Sequence, residues 1–426
     1  MINNWQQNRI IHSKEYQVKA SLEVNELIFT SKKDKVITLV DGTTLIEFVS
    51  CSYLGLDTHP KILNAIKKNI DSYGVTFASA RTRIRADSYE ILDALLKKIF
   101  CDAAPTLFPS VHMVHLGFFP LLGSGEIPSF RAGRNGFTFI LDKSSHSSIQ
   151  INRALLNQFG SVTVLNFNEH EQLKTLAELS YQSKKSPVFI ADSIGSMGGI
   201  TPIHYLLHLA DKYNGYVYLD DAHGTSIFGT NGCGCVLDQL QGRFHPRMGI
   251  AASLSKAFGT AGGGVLVLPT EDDSNMVKRF SPTYIFGGPI ALPIIHASIA
   301  SAEIHLSEEL AQLQDKLQKN IKHFDLLITG NMINKGSKFP IRGLFIGDEI
   351  KAIQVAKNLK DRGFAVTTAM YPTVAKKSAI LRIALSAMHT TSQIKKLCNE
   401  INYLSELETP IDQSLDKEKY PEPISL

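Results

Sequence analysis

The chain has no block of like charge, no pair of cysteines at metal-ligand spacing and no apolar run long enough to span a bilayer. Its 44 basic and 40 acidic residues leave a net charge of only +4, with the basic residues spread among the acids. Nucleic-acid binding therefore has no electrostatic footprint here, and no DNA-binding helix-turn-helix pattern opens the chain. The five cysteines (Cys51, Cys101, Cys233, Cys235, Cys398) are an odd number. Cys233-Gly234-Cys235 has no second pair to complete a metal site, so reduced thiols in a loop are expected. Met1 to Gln6 runs straight into polar sequence, without a secretory signal. The most apolar helical stretch, Pro289 to Ala302, is shorter than the roughly 20 residues a spanning helix needs. A soluble cytoplasmic protein is expected. Internal repeats, low-complexity tracts and a Walker loop are also missing; the glycines from Gly195 to Gly199 precede no Gly-Lys-Ser/Thr.

What is present is a rhythm of short apolar runs: Phe137–Leu141, Val162–Leu165, Val188–Ala191, Tyr216–Leu219, Met248–Ala252 and Gly264–Leu268. Helical patterns such as Ile203–Tyr213 fill several of the gaps. Strands alternating with helices predict an α/β fold with a mostly parallel sheet covered on both faces. Ahead of it, Val36–Val40 and Leu45–Val49 flank Asp41-Gly42 and predict a β-hairpin. Lys61–Ile70 and Tyr89–Phe100 have helical spacing, the second with Ile91, Leu92, Leu95, Leu96 and Ile99 on one face. Beyond Pro293 the pattern predicts one long helix, Ile294–Ile321, then a smaller α+β domain with strands at Arg342–Gly347 and Leu381–Leu385. The expected division is an N-terminal segment (1–60) packing with the small domain, a large domain (61–293), a small domain (294–407) and a flexible tail (408–426).

A parallel sheet binds ligands just beyond the carboxyl ends of its strands, and the chemistry-bearing residues cluster there. Asp142 and His146 follow the first run, Asp192 and Ser196 the third, Asp220 and His223 the fourth, and Lys256 the fifth. A carboxylate, an imidazole and a lysine at neighbouring strand ends suit pyridoxal 5′-phosphate (PLP), whose aldehyde takes an amine and whose ring nitrogen needs an anion. Lys256 lies between Ser255 and Ala257-Phe258-Gly259, small residues that let a ring approach the backbone. A buried carboxylate at Asp220 is costly without a partner, and a protonated ring nitrogen is one. The plainer reading, a helix N-cap, fits Asp221 better. His223 can donate to a phenolic oxygen, and His146 can stack on a ring face. Ser196 and Ser253 can donate hydroxyls, although turn serines do the same for the backbone. Arg382, within an apolar strand, calls for a carboxylate, from a substrate amino acid or from a structural ion pair.

In order and spacing these motifs resemble the α-oxoamine synthases, fold-type-I PLP enzymes, from about Val36 to Leu397. Asp192–Gly199, Asp220-Asp221-Ala222-His223 and Ser253–Gly259 carry most of the resemblance. Tyr53–Leu56, Asp142–Ser148 and Arg382 with Ala387–Thr390 add to it. The resemblance implies Lys256 as the Schiff-base lysine, Asp220 on the ring nitrogen, His223 on the phenolic oxygen and His146 over the ring. It also implies cofactor contacts from Ser196 and Ser253, and Arg382 on the substrate carboxylate. The activity implied is a decarboxylative condensation of an amino acid with an acyl thioester, on CoA or a carrier protein, by a homodimer. A same-fold aminotransferase or aldolase, or a non-catalytic homologue, are the alternatives. Four features depart from the family pattern, one being that the histidine-containing start of the helix after residue 85 is missing. The family's Ser-Gly-aromatic phosphate turn reads Ser110-Val111-His112, its substrate asparagine is replaced by Cys51 or Ser52, and its hydroxyl pair after Phe286 reads Gly287-Gly288. These departures point to altered substrate recognition and a specialised synthase.

Overall fold

The computed structural model describes residues 5–330 and 332–407; the tail expected at 408–426 lies outside them. The described residues divide into two compact units. The larger comprises Leu56–Ser196 and Ile200–Gln314. The smaller comprises the described residues up to Gly55, Met197–Gly199 and those from Asp315 on. The expected boundary is at 293/294; this division falls within the helix Glu308–Leu327.

The larger unit is built on a seven-stranded sheet. From one edge its strands are Ala104–Phe108, Gly264–Leu268, Met248–Ser253, Tyr216–Asp220, Ser186–Asp192, Phe137–Asp142 and Gly160–Leu165. All the pairings are parallel except those of Gly264–Leu268, which runs antiparallel to both neighbours. Every expected run is a strand; Ala104–Phe108 is an addition, its Pro105 and polar Thr106 having hidden the apolar pattern. Alternation of side chains across the pleat feeds two separate cores. Val217, Leu219, Phe189 and Ile250 pack on one face, and Tyr216, Tyr218, Ile190 and Ala251 on the other. Covering both faces is what makes these strands apolar throughout rather than at alternate positions.

Two expectations about helices need correcting. The expected long helix is two, Leu292–His305 and Glu308–Leu327, interrupted at Leu306-Ser307. The Ser307 hydroxyl bonds back to the Ile304 carbonyl and accepts from the Glu309 N–H, so it competes with the helical ladder and starts a new helix. In the helix Ser88–Ile99, Leu92, Leu96 and Ile99 are buried, but Ile91 is 49% exposed. One residue at the stripe's edge has rotated out to solvent.

In the smaller unit Val36–Leu39 and Thr44–Glu47 form the expected antiparallel hairpin, with Phe29–Lys33 on one side and Phe364–Ala365 parallel on the other. A second, antiparallel sheet places Ala379–Ala384 between Ile341–Gly347 and Thr367–Ala369. Arg342, fully buried there, donates from Nε and Nη2 to the two Asp325 carboxylate oxygens, each at 2.7 Å.

Candidate active site

Parallel pairing brings three strand ends together. Asp220 is opposite Asp192 on one neighbouring strand and Ala251 on the other, two residues before Ser253. Asp220 Oδ1 accepts the Ala222 N–H at 2.9 Å, and Oδ2 lies 3.1 Å from His115 Nε2. Burial alone would raise this carboxyl. The bond from His115, the Lys256 charge and the Ala222 N–H together outweigh it and hold Asp220 below its usual value. Asp221 has a different task. Its carboxylate accepts from the Ser193 hydroxyl and, at 3.4 Å, from the N–H of Val236 near the start of the helix Cys235–Gln239. Buried without a charge partner, it is raised to about 7. Asp221 is thus not the N-cap the sequence suggests, since Gly234 holds that place for Cys235–Gln239; its carboxylate instead ties the turn after Tyr216–Asp220 to that helix.

His146 caps the short helix Ser147–Gln150 through Nδ1, while its N–H donates to Asp192 Oδ2 at 3.0 Å. Its side chain keeps an exposed face. Even so, loss of hydration outweighs the pull of Asp220 and, with Lys256 adding to it, lowers His146 from 6.5. Lys256 lies half-buried in the turn after Met248–Ser253 and is felt electrostatically by Asp220, Asp192 and His146. Ser253 is buried, and its hydroxyl accepts the Ser255 N–H at 3.2 Å, shaping the turn that presents the lysine. Gly259, at φ +86°, ends that turn; a side chain there would press on Leu56 and Asp57 backbone. His223 is buried in the turn after Asp220, and Ser196 is half-buried between Ile194 and Ile200, which bridge one another.

The helix Val111–Ser124 begins beside Gly264, the first residue of Gly264–Leu268. Ser110 is its N-cap, accepting the Met113 N–H at 3.3 Å, and Gly263 donates to Pro109. Gly264 packs so closely that a Cβ would lie 2.5–2.6 Å from the Ser110 carbonyl and the Val111 nitrogen. The free N–H groups of this first turn, at Val111 and His112, are a ready anion site of the kind a phosphate uses.

In the smaller unit Arg382 is buried, with Nη2 3.4 Å from both the Cys51 sulfur and the Tyr53 hydroxyl. The Ser52 carbonyl accepts the Ser386 hydroxyl at 2.9 Å, which ties this segment to the strand carrying Arg382.

The donor set of the larger unit fits PLP by chemistry: an amine on a turn, a carboxylate held anionic, and a helix N-terminus for a phosphate. The structure also brings in two residues that the sequence reading left out. His115 is fully buried, with Nδ1 2.8 Å from the Tyr218 hydroxyl and Nε2 toward Asp220. Tyr218 and Asp220 are two residues apart on one strand and so share a face, a signal the sequence did contain. No spacing in the sequence points His115 at that face. Among the described residues no cluster of His, Cys, Asp and Glu could hold a metal, and no helix is long and apolar enough to cross a membrane.

Residues 130–401 match the family model for aminotransferase class I and II. The 8-amino-7-oxononanoate synthase of Coprothermobacter proteolyticus is 31% identical over 366 residues, 84% of this chain and 87% of that protein. The 2-amino-3-ketobutyrate coenzyme A ligase of Salmonella typhimurium is 31% identical over 376 residues, 87% of this chain and 90% of that one. Among solved structures, the serine palmitoyltransferase of S. paucimobilis with a bound PLP-myriocin aldimine superposes with a TM-score of 0.81 at 19% identity. It covers 95% of this chain and 99% of its own.

Proposed function

Because the chain belongs to the class I and II aminotransferases and, within them, to the α-oxoamine synthases, we propose that it is a PLP-dependent acyltransferase. Its reaction joins the α-carbon of an amino acid to the carbonyl of an acyl thioester, on CoA or a carrier protein. The thiol leaves, the carboxylate departs as carbon dioxide, and an α-amino ketone remains. The observation that carries this reading is Asp220, an acid kept anionic at a buried strand end, electrostatically linked to the half-buried Lys256.

PLP, when bound, supplies the carbonyl that carries the amino acid and the ring that accepts the electron pair freed at its α-carbon. Asp220 accepts from the ring nitrogen and balances its charge. The Lys256 amine takes the proton from the α-carbon and returns one at the end. His223 donates to the phenolic oxygen, and His146 lies against the ring. The first turn at Val111 and His112 binds the phosphate, and Ser196 and Ser253 offer hydroxyls. Arg382, with Ser52, is the carboxylate anchor in this reading.

We also infer a cytoplasmic homodimer. Val75, Phe77 and Ile84 are exposed and Phe286 is 85% exposed, apolar surface that a second copy could cover. Light scattering tests this, and a fully active monomer would overturn it.

The function is tested by giving purified protein a panel of amino acids and acyl thioesters, then following free thiol, carbon dioxide and product mass. Thiol and carbon dioxide released together, and lost in Lys256→Ala, are expected. Amino transfer to an oxo acid without thiol release would identify an aminotransferase instead.

A further inference from the structure

We propose that His115 is a positioning residue for Asp220: its Nε2–H fixes the carboxylate, and the Tyr218 hydroxyl fixes the imidazole tautomer that carries this proton. The inference rests on the reading of Asp220 as partner of the cofactor's ring nitrogen, and extends it to two residues that do not touch the cofactor.

Tyr218 is fully buried, and a buried O–H without an acceptor costs about 1–3 kcal/mol. His115 Nδ1, 2.8 Å away, is its acceptor, so Nδ1 presents a lone pair. With Nδ1 accepting, the N–H of the ring sits on Nε2, directed at Asp220 Oδ2 3.1 Å away. Tyr218 does not give up its proton, because burial, with Asp220 adding to it, pushes the phenol well above 10.

The ring has no freedom to turn. His115 is fully buried and stacks on Phe119, with ring centroids 5.5 Å apart and planes within 12°. With Oδ2 held by His115 and Oδ1 by Ala222, each oxygen keeps one lone-pair direction for a third donor. A carboxylate clamped in this way meets a ring nitrogen without reorganising, which is where preorganised electrostatics has its value. The same helix carries both contacts. Its first turn at Val111–His112 is the proposed phosphate site, and His115 lies one turn further, about 6 Å along the axis.

The first test is ¹⁵N-histidine NMR of the cofactor-free protein. The Nε2–H tautomer is expected at His115, with that preference lost in Tyr218→Phe; an Nδ1–H tautomer in the wild type overturns the proposal. The second test compares His115→Leu and His115→Gln by cofactor affinity, bound-cofactor absorbance and the pH profile of turnover. Orienting partners of this kind typically matter by about 10–100-fold. His115→Leu is expected to lose on the order of 10-fold in cofactor affinity, and His115→Gln, which keeps an N–H donor, to recover most of it. Wild-type affinity and pH profile in a folded His115→Leu protein overturn the proposal. Asp220→Asn separates the two levels. If it binds cofactor as the wild type does, the reading of Asp220 itself has failed; if it loses binding while His115→Leu does not, only the role of His115 has.

Discussion

Asp192 and Asp220 face each other in register on neighbouring parallel strands, and their surroundings drive their protonation in opposite directions. Burial, then the charge of Asp220, pushes Asp192 well above its usual value, while Asp220 is held below its own. Asp192 Oδ2 accepts the His146 N–H, and Oδ1 has no hydrogen-bond partner among the described residues. Two neighbouring carboxylates thus differ in how readily each carries a charge, Asp220 the more readily.

The first prediction follows. Asp192→Asn, an isosteric neutral replacement that can still accept from His146, should leave cofactor affinity within about threefold, since burial and Asp220 already disfavour the charge it removes. Asp220→Asn should weaken it by on the order of 100-fold, as the ring nitrogen loses its anion. Equilibrium dialysis with PLP checks both, and equal losses in the two variants would contradict this difference.

Gly264 provides the second. A methyl group there would run into the Ser110 and Val111 backbone, which cannot swing aside as a side chain would. Gly264→Ala should cost about 1–3 kcal/mol by urea unfolding and weaken inorganic phosphate binding. Gly330→Ala, whose methyl meets nothing within 4 Å, is the control.

The third concerns acid. His305 and His389 are both lowered to about 4 from 6.5, chiefly by burial, with only partial relief from the Ser301 and Glu47 carbonyls. Between those values the unfolded chain binds more protons than the folded one, so stability falls as pH falls. Each histidine contributes about 1.4 kcal/mol per pH unit across that window. Calorimetry should show Tm dropping from pH 7 to pH 5, and His305→Gln should reduce the slope.

The fourth tests the buried ion pair of the smaller unit. Arg342 also donates to the carbonyls of Phe339 and Ser337, so it stays in place when its acid is removed. Asp325→Ala should cost about 3–5 kcal/mol in urea titration, because it strands a buried guanidinium. A cost below about 1 kcal/mol, the range of a surface pair, would place this interaction in water.

Much of this molecule was legible in one dimension because parallel strands buried on both faces are apolar throughout, and Tyr216–Leu219 or Met248–Ala252 stand out for that reason. The residues at their carboxyl ends were legible too, since polar groups directly after such runs have few structural reasons to be there. Local competition was harder to read: the Ser307 hydroxyl interrupts a helix that hydrophobic periodicity alone would continue, and Pro105 and Thr106 conceal a strand.

The sequence by itself determined the strand order along the chain and the lysine, acid and imidazole that follow the strands, because these depend on side-chain period and immediate neighbours. Only the tertiary structure decided which acid is the charged one. Asp220 and Asp221 are adjacent and identical in kind, and what separates them is His115, more than a hundred positions earlier, reaching one and not the other. Protonation is set by whatever stands within a few ångströms, and that distance is a property of the folded chain alone.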